Sequence, residues 1–147
     1  MAVTLIRHAE STHNRFNDPT RNCPITDYGK IQASKLTGTY DLVICSTLKR
    51  ARQTLDESGI QYGKVIFTDL CREVLDGNPV NLYNNEPNTT ETAEQIRDRV
   101  EKVKTLLREM SAQYPKIAVV SHGVFLYYVC GHRFYNTEQF KYVDRPN

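Results

Sequence analysis

Three things are scarce in this 147-residue chain, and each scarcity excludes a class of protein. Charge of one sign is the first: 19 Lys and Arg stand against 17 Asp and Glu, a net charge of +2. A balance this near zero gives no support for a dedicated nucleic-acid binder or a polybasic membrane surface. Long apolar runs are the second. The longest, Val124 to Cys130, falls far short of the roughly 20 residues a bilayer-spanning helix needs. Met1 to Ile6 is apolar but has no basic leader and gives way to Arg7-His8, so it does not read as a signal peptide. Paired cysteines are the third. Cys23, Cys45, Cys71 and Cys130 are scattered, with no C-x-x-C pair, which predicts reduced, buried thiols in a cytoplasmic setting and neither a disulfide frame nor a zinc site.

What is present is an ordinary globular composition, 39% hydrophobic, 10% aromatic and 24% charged, in a length that suits one domain over residues 1–147. No internal repeat or low-complexity segment is visible. Short β-branched runs alternate with helical patterns. Val3–Ile6, Leu42–Cys45, Val65–Thr68 and Ile117–Val120 read as strands, and their continuous apolar character suits a parallel sheet covered on both faces. Phe140–Val143 is a candidate edge strand. Helices are expected over Thr26–Leu36, Leu48–Glu57 and Thr92–Met110. The last has apolar residues at Ala93, Ile96, Val100, Val103, Leu107 and Met110, and a capping box from Thr92 and Gln95. Asp76–Thr90, rich in Asn, Pro and Thr, reads as a surface loop. The order predicts an α/β fold, a three-layer α/β/α sandwich with a mostly parallel central sheet.

Ligands in such sheets sit at the carboxyl ends of the strands. The residues found there are Arg7-His8-Ala9-Glu10, Ser46-Thr47-Leu48-Lys49-Arg50, Arg72-Glu73 and Ser121-His122-Gly123. One rim therefore collects guanidinium groups, imidazoles, a carboxylate and helix N-termini. Guanidinium groups and helix N-termini both favour anions, and the tetrahedral oxyanion they suit best is phosphate. The pattern predicts a phosphate pocket containing histidine.

At these residues the chain closely resembles the histidine phosphatase superfamily, the phosphoglycerate mutase-like group. Arg7-His8-Ala9-Glu10 with Asn14 is similar to its R-H-G/A-E-[ST]-x-x-N opening. Pro24-Ile25-Thr26 with Gly29, Gln32 and Ala33 is similar to P-L-T-x-x-G-x-x-Q-A. Ser46, Leu48, Arg50, Ala51, Gln53 and Thr54 follow S-P-L-x-R-A-x-Q-T, with Thr47 in place of the Pro. Arg72-Glu73 with Gly77, Glu91-Thr92 with Arg99-Val100, and Val119-Val120-Ser121-His122-Gly123 complete the set. The likeness runs from residue 3 to about 126, and six motifs in order make a specific signal.

The resemblance implies a phosphoglycerate mutase-like fold with a minimal cap and metal-free chemistry, without a cofactor. His8 is the candidate nucleophile, since a neutral imidazole nitrogen can attack phosphorus and hold the phosphoryl group. Arg7, Arg50, His122 and Asn14 are the candidate phosphate ligands. Glu73 is the candidate general acid, with Asp76 as the alternative, because Asn78-Pro79-Val80-Asn81 departs from the family pattern after Gly77. His13 and His132 read as ordinary surface residues, and Tyr127-Tyr128 as packing. The function expected is a phosphatase acting on a phosphorylated small molecule or a phosphoprotein. The alternatives are a mutase, which returns the phosphoryl group to another hydroxyl, and a non-catalytic phosphate-binding module. Only about 15 residues cover the stretch from Asp76 to Thr90. A lightly covered pocket admits water and favours hydrolysis.

Overall fold

The computed structural model describes residues 1–145. Its sheet contains β1 (Ala2–Arg7), β2 (Thr37–Ser46), β3 (Gly59–Thr68), β4 (Lys116–Ser121) and β5 (Gln139–Tyr142), in the spatial order β3-β2-β4-β1-β5. The β1–β4, β2–β4 and β2–β3 pairs are parallel, and β5 runs antiparallel to β1 at the edge. The helices are α1 (Thr12–Phe16), α2 (Asp27–Ser34), α3 (Lys49–Glu57), α4 (Ala93–Ser111) and α5 (Gly123–Cys130).

Side-chain alternation along the central strands sorts the core into two layers. Val3, Leu5, Leu42, Ile44, Ile117 and Val119 pack with Val100, Leu107, Phe125 and Leu126 of α4 and α5. Their alternating neighbours Ile6, Val43, Cys45, Ala118 and Val120 pack with Ala51 and Leu55 of α3. The chain thus leaves β1 and β2 toward one face and β4 toward the other. The carboxyl ends of β1 and β4, where the connections diverge, are the place where a ligand fits such a sheet.

Local chemistry explains the helix ends. The Thr26 hydroxyl accepts from the Gly29 N–H at the start of α2. A Cβ at Gly29 would lie 2.3 Å from the Glu10 carbonyl oxygen, so only glycine lets α2 press this close to the segment after β1. Thr92 and Gln95 form the expected reciprocal cap on α4.

Three features differ from the sequence expectation. Strand β3 starts at Gly59, six residues before the predicted run, because its first half is an exposed edge with no apolar stretch to announce it. Helix α1 is a single turn with no hydrophobic periodicity, held by a capping box between Ser11 and Asn14. The Asp76–Thr90 stretch is not wholly a surface loop. It forms a 3-10 turn at Pro79–Asn81, and Val80, Asn81 and Leu82 are buried. Arg72 anchors it through a two-pronged pair with Glu86, at 2.7 and 3.0 Å. The four cysteines are free, and Cys23, Cys45 and Cys71 are buried. Among the described residues, no helix is long and apolar enough to cross a membrane.

Candidate active site

His8 follows β1 directly and is 3% exposed. Its Nδ1 lies 2.7 Å from the Ala9 carbonyl oxygen, and Arg50 Nε–H donates to its Nε2 at 3.3 Å. A guanidinium nitrogen can only donate, so Nε2 acts as the acceptor and Nδ1 carries the proton given to Ala9. Burial, then the charges of Arg50 and Arg7, hold the imidazole well below its ordinary pKa. The ring is therefore neutral at pH 7, with the Nε2 lone pair on the Arg50 side.

Arg50 lies in the first turn of α3, which begins just after β2. Its Nη1–H donates to the Val80 carbonyl at 2.9 Å and its Nη2–H to Asn81 Oδ1 at 2.6 Å. Thr54, one turn on, accepts from the Ala9 N–H at 2.8 Å and donates to the Arg50 carbonyl. This ties α3 to the backbone beside His8. His122 follows β4 and is fully buried. Its ring centroid is 5.1 Å from that of His8, and its Nε2 hydrogen-bonds with Ser46 Oγ at 2.8 Å. Burial, with Arg50 and His8 nearby, lowers its pKa well below the usual imidazole value.

Arg7 ends β1 and donates through Nη1 to the Phe134 carbonyl at 2.7 Å. A Cβ at Gly123 would lie 3.2 Å from Arg7 Nε, so glycine there lets the guanidinium lie against the start of α5. Among the described residues, Arg7 Nε and His122 Nδ1 are buried with no hydrogen-bond partner. Unpaired polar atoms beside guanidinium groups suit an oxyanion.

Glu73 reaches the same α5 start. Its Oε1 accepts from the Phe125 N–H at 2.7 Å and the Val74 N–H at 2.9 Å, and its Oε2 from the Val124 N–H at 3.1 Å. Asp76 is used differently, its Oδ1 accepting from the Asn78 N–H and Asn81 Nδ2 within the loop. Asn14 is exposed at α1, and its Oδ1 accepts from the Ser11 N–H at 3.0 Å and Asn136 Nδ2 at 3.3 Å. The structure thus brings Arg7, His8, Arg50, Glu73 and His122 together at the carboxyl ends of the strands, with Asn14 linked to His8 through Asn136, which also donates to the His8 carbonyl.

Sequence reasoning missed Ser46, Asn81, Phe134 and Asn136 as parts of this site. Ser46 stood inside a quoted motif, and Asn81 inside the segment that departs from the pattern, so both had a signal. Phe134 contributes a backbone carbonyl, which no side-chain pattern reveals. His13 and His132 are half-buried surface residues, as expected: His13 meets the Asp18 carbonyl and Asn78, and His132 pairs with Glu138 at 2.6 Å while stacking on Phe140. One expectation needs correction. Tyr127 and Tyr128 are not packing residues, being 37% and 49% exposed. Tyr127 borders a pocket of about 220 Å³ with Arg7, Glu73, Val124, Arg133 and Phe134. The turn at Pro79–Asn81 meets Arg50 through the Val80 carbonyl and Asn81 Oδ1. Among the described residues, no group of three or more His, Cys, Asp or Glu is placed to hold a metal ion.

This architecture is shared with solved structures. The open reading frame Rv3214 of Mycobacterium tuberculosis is 25% identical, with a TM-score of 0.65 over 87% of this chain and 77% of that one. A candidate alpha-ribazole-5'-P phosphatase from Escherichia coli is 26% identical, with a TM-score of 0.64 over 88% and 77%. A phosphoserine phosphatase mutant from Entamoeba histolytica, in complex with phosphoserine, shares the fold at 16% identity, with a TM-score of 0.67 over 98% and 91%. No curated protein matches the chain as a relative by sequence. Residues 3–78, just over half the chain and the part that carries Arg7, His8, Arg50 and Glu73, match a family profile, and by that match the chain belongs to the histidine phosphatase superfamily (branch 1).

Proposed function

We propose that this protein is a metal-independent phosphatase that hydrolyses phosphomonoesters through a phosphohistidine at His8. The observation that carries the reading is the tautomer of His8. Nδ1–H is spent on the Ala9 carbonyl, which leaves the Nε2 lone pair beside Arg50. A nitrogen nucleophile next to guanidinium groups is what attack on a phosphate dianion requires.

Arg7, Arg50 and His122 bind the phosphoryl oxygens, and Asn14 adds a ligand from α1. The Nε2 lone pair attacks phosphorus as the P–O bond to the alcohol breaks. Glu73, in its acid form, gives its proton to the departing oxygen. The resulting carboxylate then takes a proton from water, whose oxygen attacks phosphorus as the P–N bond breaks. Phosphate leaves, and both His8 and Glu73 return to their starting states. The positive groups are in place before reaction, so the charge spreading over the phosphoryl oxygens meets donors that need no reorganisation.

Phosphate release from a panel of phosphomonoesters, with EDTA present, tests the reading in the wild type and in His8→Ala. Turnover that survives EDTA and is lost in the variant is expected. Turnover that EDTA abolishes, or that His8→Ala retains, would overturn it. Isomerisation of a phosphorylated sugar acid faster than phosphate release would replace hydrolysis by mutase activity.

A further inference from the structure

The pocket of about 220 Å³ beside the candidate acid has a chemical character that the phosphoryl chemistry does not use. It is lined by Arg7 and Glu73, by Gly123, Val124 and Tyr127 of α5, and by Arg133 and Phe134 from the loop after that helix. The Arg133 guanidinium lies 4.6 Å from the Tyr127 ring centroid, a cation held over an aromatic face. Arg133 is exposed, and among the described residues it forms no ion pair with a carboxylate.

The loop carrying Arg133 is fixed to the site at several points. The Phe134 carbonyl accepts from Arg7, Asn136 Nδ2 donates to the His8 carbonyl, and the Thr137 N–H donates to the Arg7 carbonyl at 2.9 Å. His132 is held by Glu138 and stacked on Phe140, with ring centroids 4.3 Å apart. Arg133 therefore stands on an anchored segment next to the place where the leaving oxygen must meet Glu73.

The geometry points to a leaving-group subsite in which Tyr127 and Arg133 receive a small alcohol that bears its own anionic group, a carboxylate or a second phosphate. This rests on the phosphatase reading and deepens it. Glu73 turns both carboxyl oxygens to the Val74, Val124 and Phe125 N–H groups, and Arg7 is engaged with the phosphoryl group. Arg133, exposed and in no ion pair among the described residues, is the cation on the pocket wall left to meet an anion on the alcohol. A phosphoserine within a polypeptide has no free carboxylate to offer, and a pocket of this volume fits a small organic phosphate.

The test uses two substrates that differ at one carbon, 3-phosphoglycerate and glycerol 3-phosphate, with the full chain as wild type, Arg133→Met and Arg133→Lys. The wild type is expected to favour 3-phosphoglycerate by about 10-fold in kcat/KM, chiefly through KM. Arg133→Met, which keeps the aliphatic length but drops the charge, is expected to collapse that ratio toward one, and Arg133→Lys to restore much of it. A wild type with no preference, or a Met variant that lowers both substrates equally, would overturn the subsite while leaving the phosphatase reading intact. Absence of His8-dependent hydrolysis of any phosphomonoester would overturn the reading on which it rests.

Discussion

Arg50 and His8 fix each other's state: the Arg50 Nε–H lies on His8 Nε2 at 3.3 Å, and only the tautomer with a bare Nε2 can accept it. The contact is long for a hydrogen bond, so a phosphoryl group entering between the two residues can displace it. The guanidinium itself stays held by the Val80 carbonyl and Asn81 Oδ1. The pair thus presents a nucleophile and an anion receptor already aligned, at the end of β1 and the start of α3.

Both buried imidazoles carry a pH signature. His8 and His122 have pKa values well below the ordinary range, chiefly through burial and secondarily through Arg50. A depressed pKa in the folded state means the unfolded chain binds the proton first as pH falls. Their contribution to stability is therefore complete above about 6.5, the unfolded imidazole value, and is lost as pH drops below it toward the folded-state values. Each imidazole contributes a slope of up to about 1.4 kcal/mol per pH unit in that window. Denaturant melts at pH 7.5, 6 and 5 are expected to show falling stability. The His8 and His122 ring signals in an NMR titration should stay neutral through pH 6. Protonation of either ring near pH 6.5 in the folded protein would contradict the burial argument.

Glu73 and Asp76 are separable by leaving group. Glu73→Gln removes the proton donor yet keeps an amide oxygen able to accept from the α5 backbone. Turnover of an alkyl phosphate, whose alkoxide needs protonation, is expected to fall by about 10²–10⁴-fold. Turnover of p-nitrophenyl phosphate, whose phenolate leaves unaided, should fall much less. Asp76→Asn is expected to change neither rate by more than a few-fold, because its carboxylate serves Asn78 and Asn81. Equal loss on both substrates in Glu73→Gln would assign that residue a structural role instead.

The sheet was legible in the sequence because β2 and β4 are buried on both faces, and burial on both faces writes a continuous apolar run. The first half of β3 was not, since Gly59–Lys64 lies largely exposed at an edge. Arg7, His8, Arg50, Glu73 and His122 could be placed on one rim because each stands at or within a few residues of the carboxyl end of a strand. The covering of that rim could not. It depends on Arg72 meeting Glu86, Arg50 meeting Asn81 and Arg7 meeting the Phe134 carbonyl, pairings that join distant segments and repeat with no period. The loop residues could be counted in the sequence, but the partly buried Arg72–Glu86 pair that holds the loop could not.

Asn14 has two duties that one substitution separates. Its oxygen closes the Ser11 cap on α1 and accepts from Asn136, while its amide N–H groups remain for a phosphate. Asn14→Asp keeps the acceptor and removes the donor. Thermal stability is expected to hold within about 0.5 kcal/mol, while KM for a phosphomonoester rises about 10-fold from lost donation and added negative charge. An unchanged KM would leave Asn14 as a capping residue alone.

Asn81 is the residue on which the cover over the site turns. It is 4% exposed, takes the Arg50 Nη2–H on its Oδ1, and donates through Nδ2 to the Val74 carbonyl and Asp76. Asn81→Ala leaves a buried guanidinium short of an acceptor, at a cost of about 1–3 kcal/mol in stability. It also frees Arg50 to sample positions away from His8. Competitive inhibition by inorganic phosphate is expected to weaken about 10-fold, since a less ordered guanidinium must be fixed again on binding. The coupling is testable as a cycle: in an Arg50→Ala background, Asn81→Ala should change phosphate affinity little further, because the group it positions is gone. Additive losses in the double variant would mean that Asn81 acts on the site independently of Arg50.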